Sequence, residues 1–205
     1  MDEFVVEVQE DIRREQALKF WRSYGKYIIT LVVLLIVGTG GFLYWQEHQL
    51  TKQQEDALLY EQALSDQDPK LKASALKTLS TSASPGYRAL ALFEEAEHSG
   101  NPAAAYRALA GDKKLEPALK ELASLKAILK DVGHAPAEAL LNEVQLLVRN
   151  TGPWREQAFE IQAILLMETG RIDEAKRVFE NLKASKVAPE GVRARASAML
   201  DSLSK

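Results

Sequence analysis

The chain has 205 residues, 46% of them hydrophobic, with 26 lysines and arginines against 29 aspartates and glutamates and a formal net charge of -3. That length holds one ordinary domain of roughly 100 to 200 residues plus a short extra segment. The small net charge and mixed signs exclude the basic footprint of a nucleic-acid binder, and the lack of cysteine excludes disulfides, thiolate catalysis and cysteine-ligated zinc while fitting either redox compartment.

Residues 1–26 form a charged opening segment, and from Tyr27 to Gln46 the chain carries no ionisable group except two tyrosine hydroxyls. About 20 helical residues at 1.5 Å each reach roughly 30 Å, the thickness of a bilayer's hydrocarbon core. Trp21, Tyr24 and Tyr27 precede the run and Phe42, Tyr44 and Trp45 close it, where amphipathic rings favour the headgroup layer. A buried core helix seldom needs such a stretch with aromatic girdles at both ends. A cleavable signal peptide fits less well: the leading segment is long and acidic, and Gly38, Thr39, Gly40 and Gly41 lie inside the run rather than after it,. Residues 27–46 are therefore expected to be a single transmembrane helix. Arg13, Arg14, Lys19, Arg22 and Lys26 flank it on the N-terminal side, against Lys52 alone on the other. This bias keeps the N-terminus cytoplasmic and exports residues 47–205, in a bacterium to the periplasm.

The exported part is rich in alanine and leucine and interrupted by Gly, Pro and Asn, the pattern of a chain of short helices. The sequence predicts helices over Glu47–Ser65, Pro69–Leu79, Pro85–His98, Pro102–Leu109, Glu116–Asp131, Pro136–Val148, Pro153–Glu168, Asp173–Leu182 and Pro189–Leu203. Several begin with proline, accommodated in a first turn because its missing N–H would be unpaired there anyway. Three turns align, at His98–Pro102, Asp131–Ala135 and Glu168–Ile172, each followed by an alanine: Ala105, Ala139 and Ala175. Their spacings of about 34 and 36 residues match the tetratricopeptide period. The best copy runs from Ala163 through Gly170 and Ala175 to Phe179; earlier copies have Leu109 and Glu143 in place of the phenylalanine. The expected fold is all-α: a single N-terminal transmembrane helix followed by a tetratricopeptide-like helical-hairpin array. A plain antiparallel bundle is the alternative.

Catalytic signatures are lacking. His48, His98 and His134 are isolated, with no second ligand at i+4 and no H-E-x-x-H,. No nucleophile elbow or phosphate loop occurs, and the acids Glu94, Glu95 and Glu97 read as a solvated helix face. The chain is not expected to be an enzyme, nor to hold a metal, cofactor or small-molecule substrate.

The acidic opening with Arg13-Arg14-Glu15, the block Phe20-Trp21-Arg22-Ser23-Tyr24-Gly25-Lys26, the aromatic exit Leu43-Tyr44-Trp45 and the repeats up to Gly170 and Ala175 resemble a bacterial family. Its members are inner-membrane proteins with a tetratricopeptide-like periplasmic domain, ancillary subunits of the Sec translocon. The resemblance implies a scaffold near the export channel that cooperates with membrane-anchored periplasmic chaperones. It specifies architecture better than activity.

A repeat array leaves a concave surface lined by the first helix of each pair. Alignment on the alanines places Tyr87, Leu90, Glu94, Glu121, Ser124, Ile128, Gln157, Glu160, Ile164 and Met167 toward it. Apolar anchors ringed by acids would suit an amphipathic or basic partner segment. The leading expectation is a membrane-anchored protein-binding scaffold at the export channel. A self-associating subunit of another envelope complex is the alternative, and an enzyme would require a deep pocket with converging titratable groups.

Overall fold

The computed structural model describes the backbone of residues 2–204 and the side chains of residues 21–27 and 29–204. The chain divides into two compact units, Met1–Gln54 and Glu55–Lys205.

In the first unit, α1 (Asp2–Ser65) carries the apolar run. Its most apolar stretch has a mean hydropathy of 2.2 and buries none of its residues, and among the described residues α1 is the one helix long and apolar enough to cross a membrane, by length and composition. The Thr30 hydroxyl donates to the Lys26 carbonyl at 2.8 Å and that of Thr39 to the carbonyls of Leu35 and Ile36, so these polar groups are satisfied within the helix. The Lys26 ammonium lies 5.0 Å from the centre of the Tyr27 ring at the start of the run. The Arg13, Arg14 and Lys19 side chains, on which the orientation argument partly rests, and those of Glu15 and Phe20 lie outside the described residues.

The second unit is helical throughout, and no strand occurs among the described residues. The stretch expected as a helix from Glu47 to Ser65 belongs to α1, and its last turns open this unit. There follow α2 (Pro69–Ser82), α3 (Pro85–Glu97), α4 (Pro102–Ala110), α5 (Pro117–Asp131), α6 (Ala137–Arg149), α7 (Arg155–Glu168), α8 (Ile172–Ala184) and α9 (Glu190–Leu203). Local chemistry explains the starts. The Asp68 and Asn101 side chains accept from the amides of Lys70 and Ala104, capping α2 and α4 ahead of Pro69 and Pro102,. The start of α3 is capped from a distance: the buried Asp56 carboxylate accepts the Ser84 amide at 2.6 Å. Pro136 and Pro189 stand one residue ahead of their helices rather than inside them.

Packing runs mainly between helices adjacent in the chain, with α4 against α5 and α6 against α7 among the most extensive pairs. Each helix buries one stripe, and the stripes merge into three clusters. One lies around Leu76, Leu79 and Ala91, one around Tyr106, Leu109 and Ala123, and the largest around Leu125, Leu140, Val144, Leu165 and Phe179.

The three aligned turns prove chemically different. At Gly170 (φ 77°), the Arg171 amide donates to the Leu166 carbonyl and the Gly170 amide to that of Met167, a Schellman closure that needs the left-handed conformation. At Gly133 (φ 75°), Val132 with φ -56° and ψ 127° and the His134 amide donating to Asp131 define a type II turn, which needs glycine in its third position. Gly100 has no positive φ, and Asn101 caps the next helix there instead.

The following helix begins two residues after Gly100 and Gly170 but four after Gly133, and the register read on Ala139 is off by one residue. The fourth positions of α4, α6 and α8 are Ala105, Leu140 and Ala175, 35 residues apart at each step. Ala139, aligned from sequence, is exposed, whereas Leu140 is buried. One turn later come the buried Leu109, Val144 and Phe179, so Val144 replaces Glu143 in the register.

Ala175 is 0% exposed. Ala175→Glu is expected to destabilise the helical domain by about 3 kcal/mol or more by burying a charge or prising α7 from α8. A thermal melt by circular dichroism checks it, and an unchanged midpoint would refute the packing assignment.

Candidate functional site

The proposed surface residues fall on α3, α5 and α7, but in different environments. Tyr87 and Leu90, one turn apart on α3, come together in an apolar groove of about 580 Å³. Its floor is Ala89, Phe93, Leu115 and Leu119, and Leu122 on α5 completes the far wall. Leu90 is 48% exposed. The Tyr87 ring leans on Tyr60 of α1, ring centres 6.0 Å apart. Burial, aided by the nearby Glu94 carboxylate, pushes the Tyr60 phenol above its ordinary value,.

The acids do not ring this groove as free charges. Glu94 pairs with Lys72 at 3.4 Å and lies 3.7 Å from the His98 ring. Glu121 accepts from the Asn150 amide at 3.3 Å. Glu160 holds Arg195 of α9 through two bonds of 2.6 and 2.7 Å. The Ser124 hydroxyl donates to the Lys120 carbonyl, a local bond within α5. Gln157 is half-buried, with its carbonyl oxygen enclosed and unpartnered. Ile164 and Met167 pack against the large core cluster. Ile128 corrects the sequence expectation outright: at 1% exposure it belongs to that cluster and presents nothing to a partner. It shares the buried stripe of Ala123, Leu125 and Ala127, which alignment on Ala139 had turned outward.

Phe93, Leu115, Leu119 and Leu122 were not singled out from the sequence, although their spacing carried a signal. Leu115, Leu119 and Leu122 on one side, and Tyr87, Leu90 and Phe93 on the other, recur at three or four residues, the period of one helix face.

A polar network beneath the groove ties α3, α4 and α5 together. The buried Tyr106 hydroxyl donates to Glu97 at 2.6 Å. Lys126 donates to Glu97 at 3.1 Å and to the Tyr106 oxygen at 3.0 Å, with its ammonium 4.8 Å from the Tyr106 ring centre. Lys130 adds a further bond to Glu97. Bonds from Lys130, Tyr106 and Lys126 hold the Glu97 carboxyl down at about 2, while burial and Glu97 push the Tyr106 phenol up,. Alongside, Arg107 of α4 bonds Asp131 at 2.7 Å and Glu143 of α6 at 3.0 Å. The Trp154 indole donates to the Ala118 carbonyl at 2.8 Å, fixing the α6–α7 turn on the start of α5.

These groups support structure rather than bond chemistry. No group of three or more His, Asp or Glu placed to hold a metal ion occurs among the described residues, and the titratable residues that line the groove are Tyr87, Lys114 and Glu116.

The family model described as a tetratricopeptide repeat-like domain matches residues 18–205. Among curated proteins, the ancillary SecYEG translocon subunit of Aggregatibacter actinomycetemcomitans is 30% identical over 97 residues, covering 46% of this chain and 47% of that protein. The match thus spans about half the length of the relative. No solved structure matches the chain.

Because Glu97 is depressed from 4.5 to about 2 in the folded state, its stabilising bonds are present above about 4.5 and lost as pH falls toward 2. Glu97→Gln is expected to lower the melting temperature at pH 7, with the gap to the parent narrowing below pH 4.5. A gap that stays constant down to pH 3, in melts compared at matched pH, would contradict this account.

Proposed function

The chain belongs to the tetratricopeptide repeat-like family, and from that membership we propose that it is a non-catalytic scaffold that binds partner proteins beside the bacterial inner membrane. Residues 27–46 form its single span, residues 1–26 stay in the cytoplasm and residues 47–205 stand in the periplasm. The observation that carries the binding role is the solvent-open groove between α3 and α5, with Leu90 half exposed at its wall. Folded monomers seldom leave contiguous apolar surface uncovered unless something docks there. The relative's name supports placing the partner at the protein-export channel, and membrane-tethered periplasmic chaperones are the second partner class.

A single anchor also has an energetic role. Confinement to one membrane raises the effective concentration of two anchored proteins without any new contact, so a shallow groove of moderate intrinsic affinity suffices. The bias of basic residues, five before the span and Lys52 after it, supports the orientation.

Two outcomes are expected. In spheroplasts, externally added protease should degrade the domain after Glu47 and spare an epitope at Met1; the opposite pattern would overturn the orientation. A photo-reactive residue at Leu90 should crosslink to a subunit of the export channel or a tethered chaperone, while one at the exposed Leu146 of α6, outside the groove, should not. Leu90→Asp, at a position exposed enough to keep the fold, should abolish capture. Capture unaffected by Leu90→Asp would move the binding role away from the groove.

A further inference from the structure

We infer that α1, just before its apolar run, holds the phosphate of an anionic phospholipid on Arg22 and Lys26, between the rings of Trp21 and Tyr27. This rests on the single span proposed above and adds the class of lipid that gathers at its N-terminal end.

The charge there is local rather than spread along the opening segment. Residues 1–15 carry six aspartates and glutamates against Arg13 and Arg14, and residues 16–46 contain no aspartate or glutamate. Lys19, Arg22 and Lys26 thus stand in the last turns before the apolar run with no acid following them until Glu47.

Arg22 and Lys26 are one helical turn apart, which sets their Cβ atoms about 6 Å from each other on one face of α1,. The positions one turn away from either are Leu18, Lys19, Ser23, Gly25, Ile29 and Thr30, none of which can neutralise a cation. Both side chains are exposed, and among the described residues neither forms an ion pair. Like charges at this spacing repel. A phosphate that accepts from both relieves the repulsion through charge-assisted bonds, with the guanidinium supplying a planar fork and the ammonium a point charge.

Aromatic rings frame the pair and set its depth. The Trp21 indole lies against Gly25, close enough that a Cβ there would meet its atoms at 3.2 to 3.4 Å. On the other side the Lys26 ammonium lies 5.0 Å from the Tyr27 ring centre, and a cation over a ring face keeps N–H bonds for an oxygen elsewhere. Such amphipathic rings settle in the headgroup layer, where the phosphates at hand are those of lipids. A zwitterionic headgroup brings its own cation, which two unpaired cations repel; a net anionic headgroup does not.

The full-length chain is to be reconstituted in phosphatidylcholine bilayers, with brominated phosphatidylglycerol or brominated phosphatidylcholine replacing part of the lipid. Quenching at Trp21 is read as the difference from a Trp21→Phe companion. Phosphatidylglycerol should be favoured beside Trp21 about fivefold at low salt, with the preference shrinking as salt rises. Arg22→Gln with Lys26→Gln should remove most of the preference, whereas Arg13→Gln with Arg14→Gln should leave it unchanged. No preference in the parent would overturn the lipid site while leaving the span in place. Equal losses in the two double variants would do the same, since a diffuse field would then account for the effect. Loss of the preference on adding inorganic phosphate at matched ionic strength would make a dissolved anion the occupant and also overturn it. Absence of quenching by either lipid would remove the span, and the lipid site with it.

Discussion

The groove depends on one buried phenol. Tyr106 reaches from α4 to Glu97 on α3 and accepts from Lys126 on α5, so the two walls are held through the helix between them. A half-satisfied network in a buried position would cost more than an apolar core, but each member here has several partners. Phe93 stacks at 5.7 Å from the Tyr106 ring and forms the groove floor, which ties the width of the opening to the same cluster. Tyr106 adds direction to the Glu97 bonds with Lys126 and Lys130 that join α3 and α5; apolar packing alone is non-directional and tolerates sliding.

Arg107 performs the equivalent task one step further along, joining α4 to the end of α5 and to α6. A fork-shaped cation can serve two carboxylates at fixed angles, which suits a junction of three helices. Glu160 and Arg195 do likewise for α7 and α9. These exposed or half-exposed pairs contribute little each; their use is to select one relative placement of helices whose apolar stripes alone would allow several.

The sequence made the helices legible because punctuation was strong: prolines, capping Asp68 and Asn101, and glycines mark ends independently of tertiary contacts. The middle repeat was misregistered for a physical reason. A glycine in a turn reports only that a left-handed residue is needed, and both a Schellman closure and a type II turn need one. Gly133 and Gly170 therefore look alike in sequence, while the following helix begins four residues after the first and two after the second, so alignment on the turns selects Ala139 where Leu140 holds the register. The same slip turned Ile128 outward. Tyr87 and Leu90 were found because α3 alone decides their face. Leu119 and Leu122 were missed because their exposure depends on how α5 meets α3, and the engagement of Glu94, Glu121 and Glu160 depends on residues more than twenty positions distant. Charge composition is visible in a sequence; charge availability is not.

The preference for packing between chain neighbours has a kinetic meaning. Contacts that close over short stretches lose little loop entropy before they form, so such chains fold quickly and can grow from an end. Once α3, α4 and α5 have emerged, Tyr106, Glu97 and Lys126 are all present, and the cluster beneath the groove can assemble before α8 and α9 exist. A chain of this build need not wait for its C-terminus before its first repeats close. Each new helix finds the layer it packs on already made, so the fold can build up in the order of its residues during synthesis.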